Sequence, residues 1–419
     1  MEEWKEYKLG EVAIPVRDRI DTSVLDASSY ISTENMLPDK AGVAFSSGIP
    51  LGKAIQFKDG DVLLSNIRPY FKKIWRADKV GGCSADVICL RASKDIEPLF
   101  LYYLLSQDLF FDYVMQGAKG TKMPRGDRHQ IMQWPVLLPS KSEQQKIASI
   151  LSALDDKIEV NRRINDNLEQ QAQALFKSWF VDFEPFKNGE FVESELGMIP
   201  KGWRVGTLGD ICECLLGGTP SRSNNEYWNG NIAWINSGEV NEFRITKASE
   251  YITEEGLKHS ATKLLPKKTT VLAITGATLG QVSLLEIDTC ANQSVIGVLE
   301  NDIIPYEFIY PLINEKIGEL CSHMTGGAQQ HINKNNVEQL DIVIPPQTII
   351  VEYKAKVKSI YSTISNNCFE AQNLAELRDT LLPRLMSGEL SVDGLKGQQA
   401  VSPGQRPGST EHVSSKIAL

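Results

Sequence analysis

Apolar residues follow a heptad pattern in two long stretches of the chain. After Pro139 the 4-3-4-3 spacing runs through Ile147, Leu151, Leu154, Ile158, Leu168, Ala172, Leu175 and Trp179, with Asn161 and Asn165 at its two middle positions. The spacing returns at Tyr353, Val357, Ile360, Ile364, Ala371, Leu374, Leu381 and Leu385, with Asn367 and Arg378 in line. A seam of this period predicts two long helices. Pro383 predicts that the second is kinked or interrupted near its end.

Each predicted helix needs a partner for its apolar seam. A helix from Ser142 to Phe180 is roughly 58 Å long at ~1.5 Å per residue, more than one small module can cover. The other helix is the obvious partner. Antiparallel pairing places Asn165 opposite Asn367, where a buried amide pair fixes the register at some cost in stability. The alternative is that both asparagines face solvent.

The sequence before each helix is a copy of one module. Trp4-x4-Leu9-Gly10 recurs as Trp203-x4-Leu208-Gly209, and Phe100-Leu-Tyr102 recurs as Phe308-Ile-Tyr310. Both copies contain short β-type runs between turn residues, namely AIQF, DVLLS, KKIW and DVICL, then IAWI, TVLAIT, QVSLLE and SVIGVL. One amphipathic helix is predicted in each, around 97–114 and 305–322. The fold class is therefore α+β: two similar domains, each followed by a long helix, the two helices packed as an antiparallel coiled coil.

These patterns divide the chain into six segments. The first module covers 1–140 and its helix 141–186; a polar, turn-rich linker with a short hairpin covers 187–202; the second module covers 203–345 and its helix 346–392. The segment 393–419 is poor in apolar residues and is predicted to be disordered.

Composition narrows the class of protein. The chain is 42% hydrophobic and 23% charged, as in ordinary globular proteins, and no apolar run approaches the ~20 residues of a membrane span. We expect a cytoplasmic protein with no membrane partner. The seven cysteines form no CxxC pair, so no metal site is predicted. Phosphate-binding loops, dinucleotide fingerprints and hydrolase triads are absent from the sequence, which argues against an enzyme.

Two basic clusters distinguish the first module. The net charge of −9 argues against a protein that coats nucleic acid. Whether one face of the protein binds nucleic acid therefore depends on local basic patches. Cations in turn-like sequence form the two clusters, Arg68, Lys72, Lys73, Arg76 and Lys79, then Lys119, Lys122, Arg125 and Arg128. Long cationic side chains on glycine-containing loops suit phosphate contacts and bidentate reading of guanine. The alternative is a pair of solvated surface loops.

The second module offers different chemistry. At the position of the second cluster it has GGAQQHINKNN, and its early loop is GGTPSRSNNEYW. Amide, hydroxyl and basic side chains suited to base edges are Gln329, Gln330, His331 and Lys334 in one loop, and Ser221, Arg222, Asn224 and Asn225 in the other. Such loops are often only turns. If both modules bind DNA, they would read two different half-sites.

The combined motifs resemble one family. The repeated Trp-x4-Leu-Gly, GGTPSRSNNEYW, SELGMIPKGW, SKSEQQKIASILSALDDKIEVN and LRDTLLPRLMSGEL are similar to the specificity subunit of type I restriction–modification enzymes, across roughly residues 1–392. The resemblance implies two target-recognition domains on a helical spacer. It implies double-stranded DNA, two methyltransferase subunits and two restriction/translocase subunits as partners. S-adenosylmethionine, ATP and magnesium would belong to those partners, and this chain would have no catalytic residue.

Two further interpretations stay open at this point. The aromatic cluster at the end of the first helix, Trp179, Phe180 and Phe183, is either a partner interface or part of the core beside the neighbouring module. The whole chain is alternatively a helical scaffold that spaces two binding modules without DNA specificity. Co-purification with a larger methyl-donor-binding partner would separate these functions.

Overall fold

The computed structural model describes residues 4–322 and 331–392. These residues form two compact units. Unit 1 contains 4–155 and 375–392, and unit 2 contains 156–322 and 331–374. Each long helix therefore contributes one part to each unit.

Unit 1 has ten strands. They are β1 (Lys5–Lys8), β2 (Ala13–Pro15), β3 (Arg19–Asp21), β4 (Tyr30–Ile31), β5 (Lys53–Phe57), β6 (Val62–Ser65), β7 (Ile74–Arg76), β8 (Gly81–Cys83), β9 (Val87–Ala92) and β10 (Pro135–Leu138). Two four-stranded sheets have the orders β2-β9-β6-β7 and β3-β5-β8-β4, and β1 pairs with β10 in a separate antiparallel ribbon. The pair β4–β8 is parallel.

Unit 2 repeats this arrangement after a hairpin of β11 (Phe191–Ser194) and β12 (Gly197–Pro200) in the predicted linker. Its strands are β13 (Arg204–Thr207), β14 (Glu213–Leu216), β15 (Trp228–Ile235), β16 (Glu250–Ile252), β17 (Leu264–Leu265), β18 (Thr270–Ala273), β19 (Val282–Leu284), β20 (Thr289–Ala291), β21 (Val295–Leu299) and β22 (Asp341–Ile344). The sheet β14-β21-β18-β19 matches β2-β9-β6-β7, and the ribbon β13–β22 matches β1–β10.

Helices complete both units. The short ones are α1 (Leu9–Val12), α2 (Pro98–Leu105), α3 (Asp108–Gln116), α4 (Arg128–Ile131), α6 (Glu254–Lys258), α7 (Tyr306–Ser322) and α8 (Lys334–Glu338); the long ones are α5 (Lys141–Phe180) and α9 (Gln347–Met386). The single helix predicted around 97–114 is two helices, because Ser106 ends α2 and Gln107 precedes a new helical start. Helix α5 ends at Phe180 rather than at 186, and α9 continues through Pro383.

The helices α5 and α9 pack antiparallel, as predicted. In unit 2, Asn161 Nδ2 donates to Glu370 Oε2 at 2.7 Å, and Asn367 Nδ2 donates to Asn165 Oδ1 at 2.9 Å. Asn165 is 4% exposed and Asn367 is half-buried, so the amide pair is confirmed and the alternative in which both face solvent is wrong. Of the other seam residues, Arg378 pairs with Asp155, and the apolar ones nearest the modules are buried, namely Ile147, Leu151, Ala172, Trp179, Tyr353, Val357, Ile364 and Leu385.

Each core joins a module to parts of both long helices. In unit 1, Ile147 and Leu151 of α5 and Leu382 and Leu385 of α9 are buried in one apolar cluster with the module. In unit 2, Phe176 of α5 and Tyr353, Val357 and Tyr361 of α9 take the corresponding places. The units are therefore built on one plan with different side chains.

The entry of α5 is fixed by a buried amide. Gln144 is 1% exposed; its Oε1 accepts from the Glu97 amide at 2.8 Å, and its Nε2 donates to the Pro139 carbonyl at 3.0 Å. Ile350, at the corresponding place in α9, is equally buried but apolar. The second copy has Ile349-Ile350 where the first has Glu143-Gln144, and this replacement changes the contact from hydrogen bonding to apolar packing.

Candidate nucleic-acid interface

The two basic clusters of the first module lie side by side. The loop 66–73 follows β6, and the segment 118–128 runs up to the first residue of α4. The Arg68 amide donates to the Pro124 carbonyl at 2.8 Å, and the Gly126 amide donates to the Asn66 carbonyl at 3.1 Å. We call these segments the basic loop pair. Backbone hydrogen bonds thus join two clusters that are about fifty residues apart in the sequence.

The first loop of the pair has a constrained backbone. Arg68 (φ 49°) and Lys72 (φ 50°) both adopt the left-handed conformation, and they flank a single 3₁₀ turn, Pro69–Phe71. A left-handed non-glycine residue typically costs ~1–3 kcal/mol and tends to occur at functional sites. This geometry makes the loop a candidate for function beyond surface solvation.

The second loop presents its cations to solvent. Lys119, Lys122, Arg125 and Arg128 are all exposed. Lys119 forms an ion pair with Asp127 at 3.0 Å, which lowers the pKa of that carboxyl together with backbone hydrogen bonds from the start of α4. Arg125 pairs with Asp86 at 3.2 Å, and Arg128 donates to the Ala85 carbonyl. These surface pairs are weak enough to exchange for phosphate contacts.

The first-loop cations are held more closely. Lys72 Nζ lies 3.0 Å from Asp108, which Lys40 Nζ also contacts at 3.1 Å. Lys73 Nζ donates to the Thr33 carbonyl at 2.8 Å; burial, followed by the charge of Arg68, lowers the pKa of Lys73. Lys40 is a nearby cation that the sequence analysis missed, since it lies in a separate loop. Its exposed fraction is 18%.

The structure does not place Arg76 on this surface. Arg76 pairs with Val62 at the other end of β7 from the loop. Burial raises the pKa of Tyr102 in α2 to about 12, and the positive charge of Arg76 opposes that rise. Arg76 is half-buried and lies beyond the loop, at the end of β7.

Unit 2 has the same loop pair with neutral chemistry. The Ile332 amide donates to the Ile274 carbonyl at 3.1 Å, just as Gly126 donates to Asn66 in unit 1. This bond places the loop 275–281, sequence TGATLGQ, beside His331. Gln329 and Gln330 lie outside the described residues. Loop 275–281 escaped the sequence analysis because it contains no cation, although its place after β18 matches that of the basic loop after β6.

Three of the four predicted residues of the 217–228 loop already have partners, two within the loop and one on β16. Asn224 Oδ1 accepts from the Glu226 amide at 3.1 Å and caps a 3₁₀ turn, while Ser221 Oγ lies 2.8 Å from Ser223 Oγ. Arg222 forms a bidentate pair with Glu250. Asn225 is exposed. In the other loop, Lys334 pairs with Glu338 along α8 at 3.2 Å.

The aromatic cluster at the end of α5 is packed inside unit 2. Trp179 and Phe180 are 6% and 8% exposed, and the ring of Phe180 lies 4.9 Å from that of Tyr353. Phe183 contacts Trp203 with ring centroids 5.4 Å apart. This packing favours the core interpretation of the cluster over the partner interface, because buried side chains cannot anchor a second protein.

Comparison with known proteins identifies the family. A family model described as the type I restriction modification DNA specificity domain matches residues 1–170 and 200–374. The two matches cover most of the chain and correspond to the two copies of the repeat. The chain belongs to this family.

Its relatives are named specificity subunits. The HindI specificity subunit of Haemophilus influenzae is 27% identical, over 93% of this chain and 100% of its own length. The MjaIX specificity subunit of Methanocaldococcus jannaschii is 32% identical, over 71% and 70%. The crystal structure of the S subunit from M. genitalium has the same fold, with a TM-score of 0.54 at 16% identity over 91% of this chain and 96% of that one. Members of this family are non-catalytic components of restriction–modification complexes.

No helix within 4–322 or 331–392 is both long and apolar enough to cross a membrane.

Proposed function

We propose that this specificity subunit reads a bipartite, asymmetric DNA target, with one half-site bound by each unit. The proposal rests on the matched loop pairs. One backbone hydrogen bond, Gly126 to Asn66 in unit 1 and Ile332 to Ile274 in unit 2, holds two loops together in both units. The side chains on these loops are cationic in unit 1, whereas loop 275–281 in unit 2 is neutral. A duplicated frame with different contact chemistry suits two different half-sites.

The proposed contacts follow from exposure and charge. Arg125 and Arg128 are the best placed for bases or phosphates, since their guanidinium groups are exposed and their present partners lie at the surface. Lys119 and Lys122 are suited to phosphates. In unit 2, His331 and Gln281 are exposed on the equivalent pair. Gln329, Gln330 and Lys334 remain proposed contacts of the same region, and Ser221 and Asn225 of the early loop.

The proposed complex contains two methyltransferase subunits and two restriction/translocase subunits. They would bind S-adenosylmethionine, ATP and magnesium, because no sequence motif for phosphate or methyl-donor binding occurs in this chain. The two long helices would set the distance between the half-sites. This subunit would direct the modification without carrying out any chemical step.

Methylation mapping tests the proposal. The chain is expressed with its methyltransferase in a host that lacks other methylases, and modified positions are read by single-molecule sequencing. Arg125→Ala should relax one half of the motif, and His331→Ala with Gln281→Ala should relax the other, each by ~1–3 kcal/mol in discrimination. Arg19→Ala, an exposed arginine on β3 away from the loop pair, is the matched control. If the motif stayed the same in both loop variants, as it should in the control, the assignment of these loops would be wrong.

A further inference from the structure

Arg222 is held by three groups at the surface of unit 2. Its Nη1 and Nη2 donate to Glu250 Oε1 and Oε2 at 2.5 and 2.7 Å, which is the parallel two-bond geometry of an arginine–carboxylate pair. Its guanidinium carbon lies 3.6 Å from the centre of the Trp228 ring and 5.0 Å from that of Trp234. The arginine is thus stacked and paired, yet its side chain is 53% exposed.

The platform beneath this arginine is rigid. Trp228 Nε1 donates to the Ser221 carbonyl at 3.2 Å, and Trp234 Nε1 donates to the Gly218 carbonyl at 3.0 Å. The two indole rings meet edge to face with centroids 5.1 Å apart. Both ends of the 217–228 loop are thereby tied to β15. The guanidinium of Arg222 is therefore held by the loop and the two indole rings as well as by Glu250.

Glu250 comes from a strand that distinguishes the second sheet of unit 2. The strands β17, β20 and β15 correspond to β5, β8 and β4 of unit 1, with the same antiparallel and parallel pairings. Strand β16 adds to the outer edge of β15, where Glu250 pairs with Trp234. In unit 1 the described sheet ends at β4 on that side. The carboxylate therefore belongs to an addition to the common frame.

We propose that Glu250 is a specificity-determining residue that occupies Arg222 until the correct half-site replaces it. This inference rests on the proposed DNA-reading function. The two oxygens of Glu250 take the positions that two phosphate oxygens, or O6 and N7 of guanine, would take on a bidentate arginine. DNA must displace the carboxylate to use this arginine, and the stacked indoles keep the arginine in place during the exchange.

The competition acts unequally on right and wrong sequences. An unrelated duplex gains binding free energy from phosphate contacts alone, and the loss of the Arg222–Glu250 ion pair offsets part of that gain. A correct half-site meets the same cost but also offers the released carboxylate a partner, since glutamate accepts from the amino group of cytosine, whereas an unrelated duplex presents it with phosphates that repel it. An internal competing charge that rejects wrong partners at small expense to the right one is a common device in specific recognition. Glu250 thereby lowers affinity for unrelated DNA more than affinity for the target, which raises the ratio between the two.

The test measures binding by the full chain in complex with its methyltransferase. The probes are a duplex that carries the motif found by methylation mapping and a duplex of the same length and unrelated sequence, each titrated at several salt concentrations. Glu250→Gln should tighten binding to the unrelated duplex about two- to fivefold, the range of an exposed ion pair. It should steepen the slope of log K against log salt by about 0.9, since one more phosphate is neutralised. Binding to the target should change less, so that discrimination falls.

Two controls isolate the role of the pair. Glu184→Gln makes the same charge change in an exposed ion pair with Lys187 at the end of α5, outside the Arg222 platform, and should leave both the slope and the discrimination as in the natural protein. The double variant Arg222→Gln with Glu250→Gln should cancel the gain on unrelated DNA. Melting temperatures of all variants verify folding, and Glu250→Ala serves if the glutamine variant is unstable.

The outcomes separate this inference from the function on which it rests. If Glu250→Gln weakens target binding and leaves unrelated DNA unchanged, Glu250 positions Arg222 for base reading and the competition model is wrong. An equal gain from Glu184→Gln would reduce the effect to general charge, and no change at all would mean that Arg222 does not meet DNA. Either result overturns the inference about Glu250, provided that the natural complex prefers its target over the unrelated duplex. If the natural complex shows no such preference, the proposed function itself fails.

Discussion

Each unit has an arginine–carboxylate pair where its module meets the long helices, but the arginine comes from a long helix in unit 1 and from the module in unit 2. In unit 1, Arg378 of α9 lies 2.6 Å from Asp155 of α5, and Tyr103 of the module donates to the same carboxylate at 2.6 Å. In unit 2, Arg244 comes from the module and lies 2.6 Å from Glu169 of α5. In the repeat, Asp155 corresponds to Tyr361 and Glu169 to Ala375, so the two pairs use different positions of the duplicated helices.

Burial distinguishes the two pairs. The side chains of Arg378 and Asp155 are 24% and 29% exposed, whereas those of Arg244 and Glu169 are 1% and 15% exposed. Arg244 also lies between the rings of Phe243 and Tyr310, at 4.3 and 4.5 Å, and donates to the Tyr310 hydroxyl at 3.0 Å. A charge withdrawn from water depends far more on its partner than a half-exposed one. The same mutation should therefore cost more in unit 2.

Removal of the unit 2 carboxylate should have the largest effect. Glu169→Gln leaves the buried Arg244 guanidinium without its counter-charge, and we expect a loss of ~3–5 kcal/mol in the stability of unit 2. Native-state hydrogen exchange measures this locally, which matters because a chain with two units need not unfold in one step. Arg244→Met combined with Glu169→Leu should recover most of the loss. A loss below ~1 kcal/mol for Glu169→Gln would show that Tyr310 alone satisfies the arginine.

The matching change in unit 1 should cost less. Asp155→Asn weakens the contacts to Arg378 and Tyr103, and we expect ~1–3 kcal/mol, the range for hydrogen bonds that involve a charged group. Tyr103→Phe should cost ~1 kcal/mol, since one donor is lost. Exchange rates of unit 1 amides report both. The exposed neighbour Asp156 provides the control, and Asp156→Asn should change little. Equal losses from Asp155→Asn and Glu169→Gln would contradict the role of burial.

Removal of the polar pair from the helix seam should raise stability, unlike the two changes above. Within unit 2 the seam contains the Asn165–Asn367 pair, whereas the unit 1 part is lined by Ile147, Leu151, Leu382 and Leu385. Replacement of both asparagines by leucine should raise the stability of the helix pair by about 1 kcal/mol or more, since buried polar pairs often cost stability relative to apolar packing. Thermal unfolding measures the gain. A fall in melting temperature would assign the pair a stabilising role.

The smallest predicted effect depends on pH. Glu307 of α7 is 2% exposed, and its Oε2 atom is buried without a hydrogen-bond partner. Burial raises the pKa of Glu307. The positive charge of Lys354 lowers this pKa, and the negative charge of Glu300 raises it further. The corresponding residue of unit 1 is Leu99. A carboxyl whose folded pKa is raised favours the folded state at low pH, and this contribution is lost as pH rises through the folded pKa.

Glu307→Gln should accordingly stabilise unit 2 at neutral pH, and the advantage over the natural protein should shrink as the pH falls below the folded pKa. Melting curves at a series of pH values provide the measurement. Glu254→Gln, at an exposed position on α6, is the matched control and should show no such trend. An advantage that is constant with pH would show that ionisation of Glu307 does not limit stability.

The sequence predicted the features that repeat along the chain. The heptad seam and the duplicated Trp-x4-Leu-Gly motif led to the helix pair and the two modules, because periodicity records which face of an element is buried. The equivalence extends to single bonds: the Leu9 amide donates to the Trp134 carbonyl, and the Leu208 amide to the Leu340 carbonyl. The division of the chain into two units, each with parts of both helices, depends on packing that periodicity does not record.

The candidate site was less predictable because its partners are distant in sequence. Arg68 and Arg125 were recognised as cations, but only the fold reveals that their loops share backbone hydrogen bonds. Arg76 has the same charge and lies at the far end of β7 instead. The sequence identified Arg222 as a binding residue but gave no reason to connect it with Glu250, because strand pairing rather than sequence spacing brings the two together. Contact chemistry requires the three-dimensional neighbours.

The shared helices also affect how the protein is made. The apolar core of unit 1 includes Leu382, Leu385, Met386 and Val392, although the rest of that unit is encoded before residue 156. A ribosome that adds roughly 5–20 residues per second completes unit 2 first, since its last residue is Leu374. The N-terminal module is therefore synthesised with part of its apolar surface uncovered until the last helix emerges. In this protein the unit that begins first is completed last.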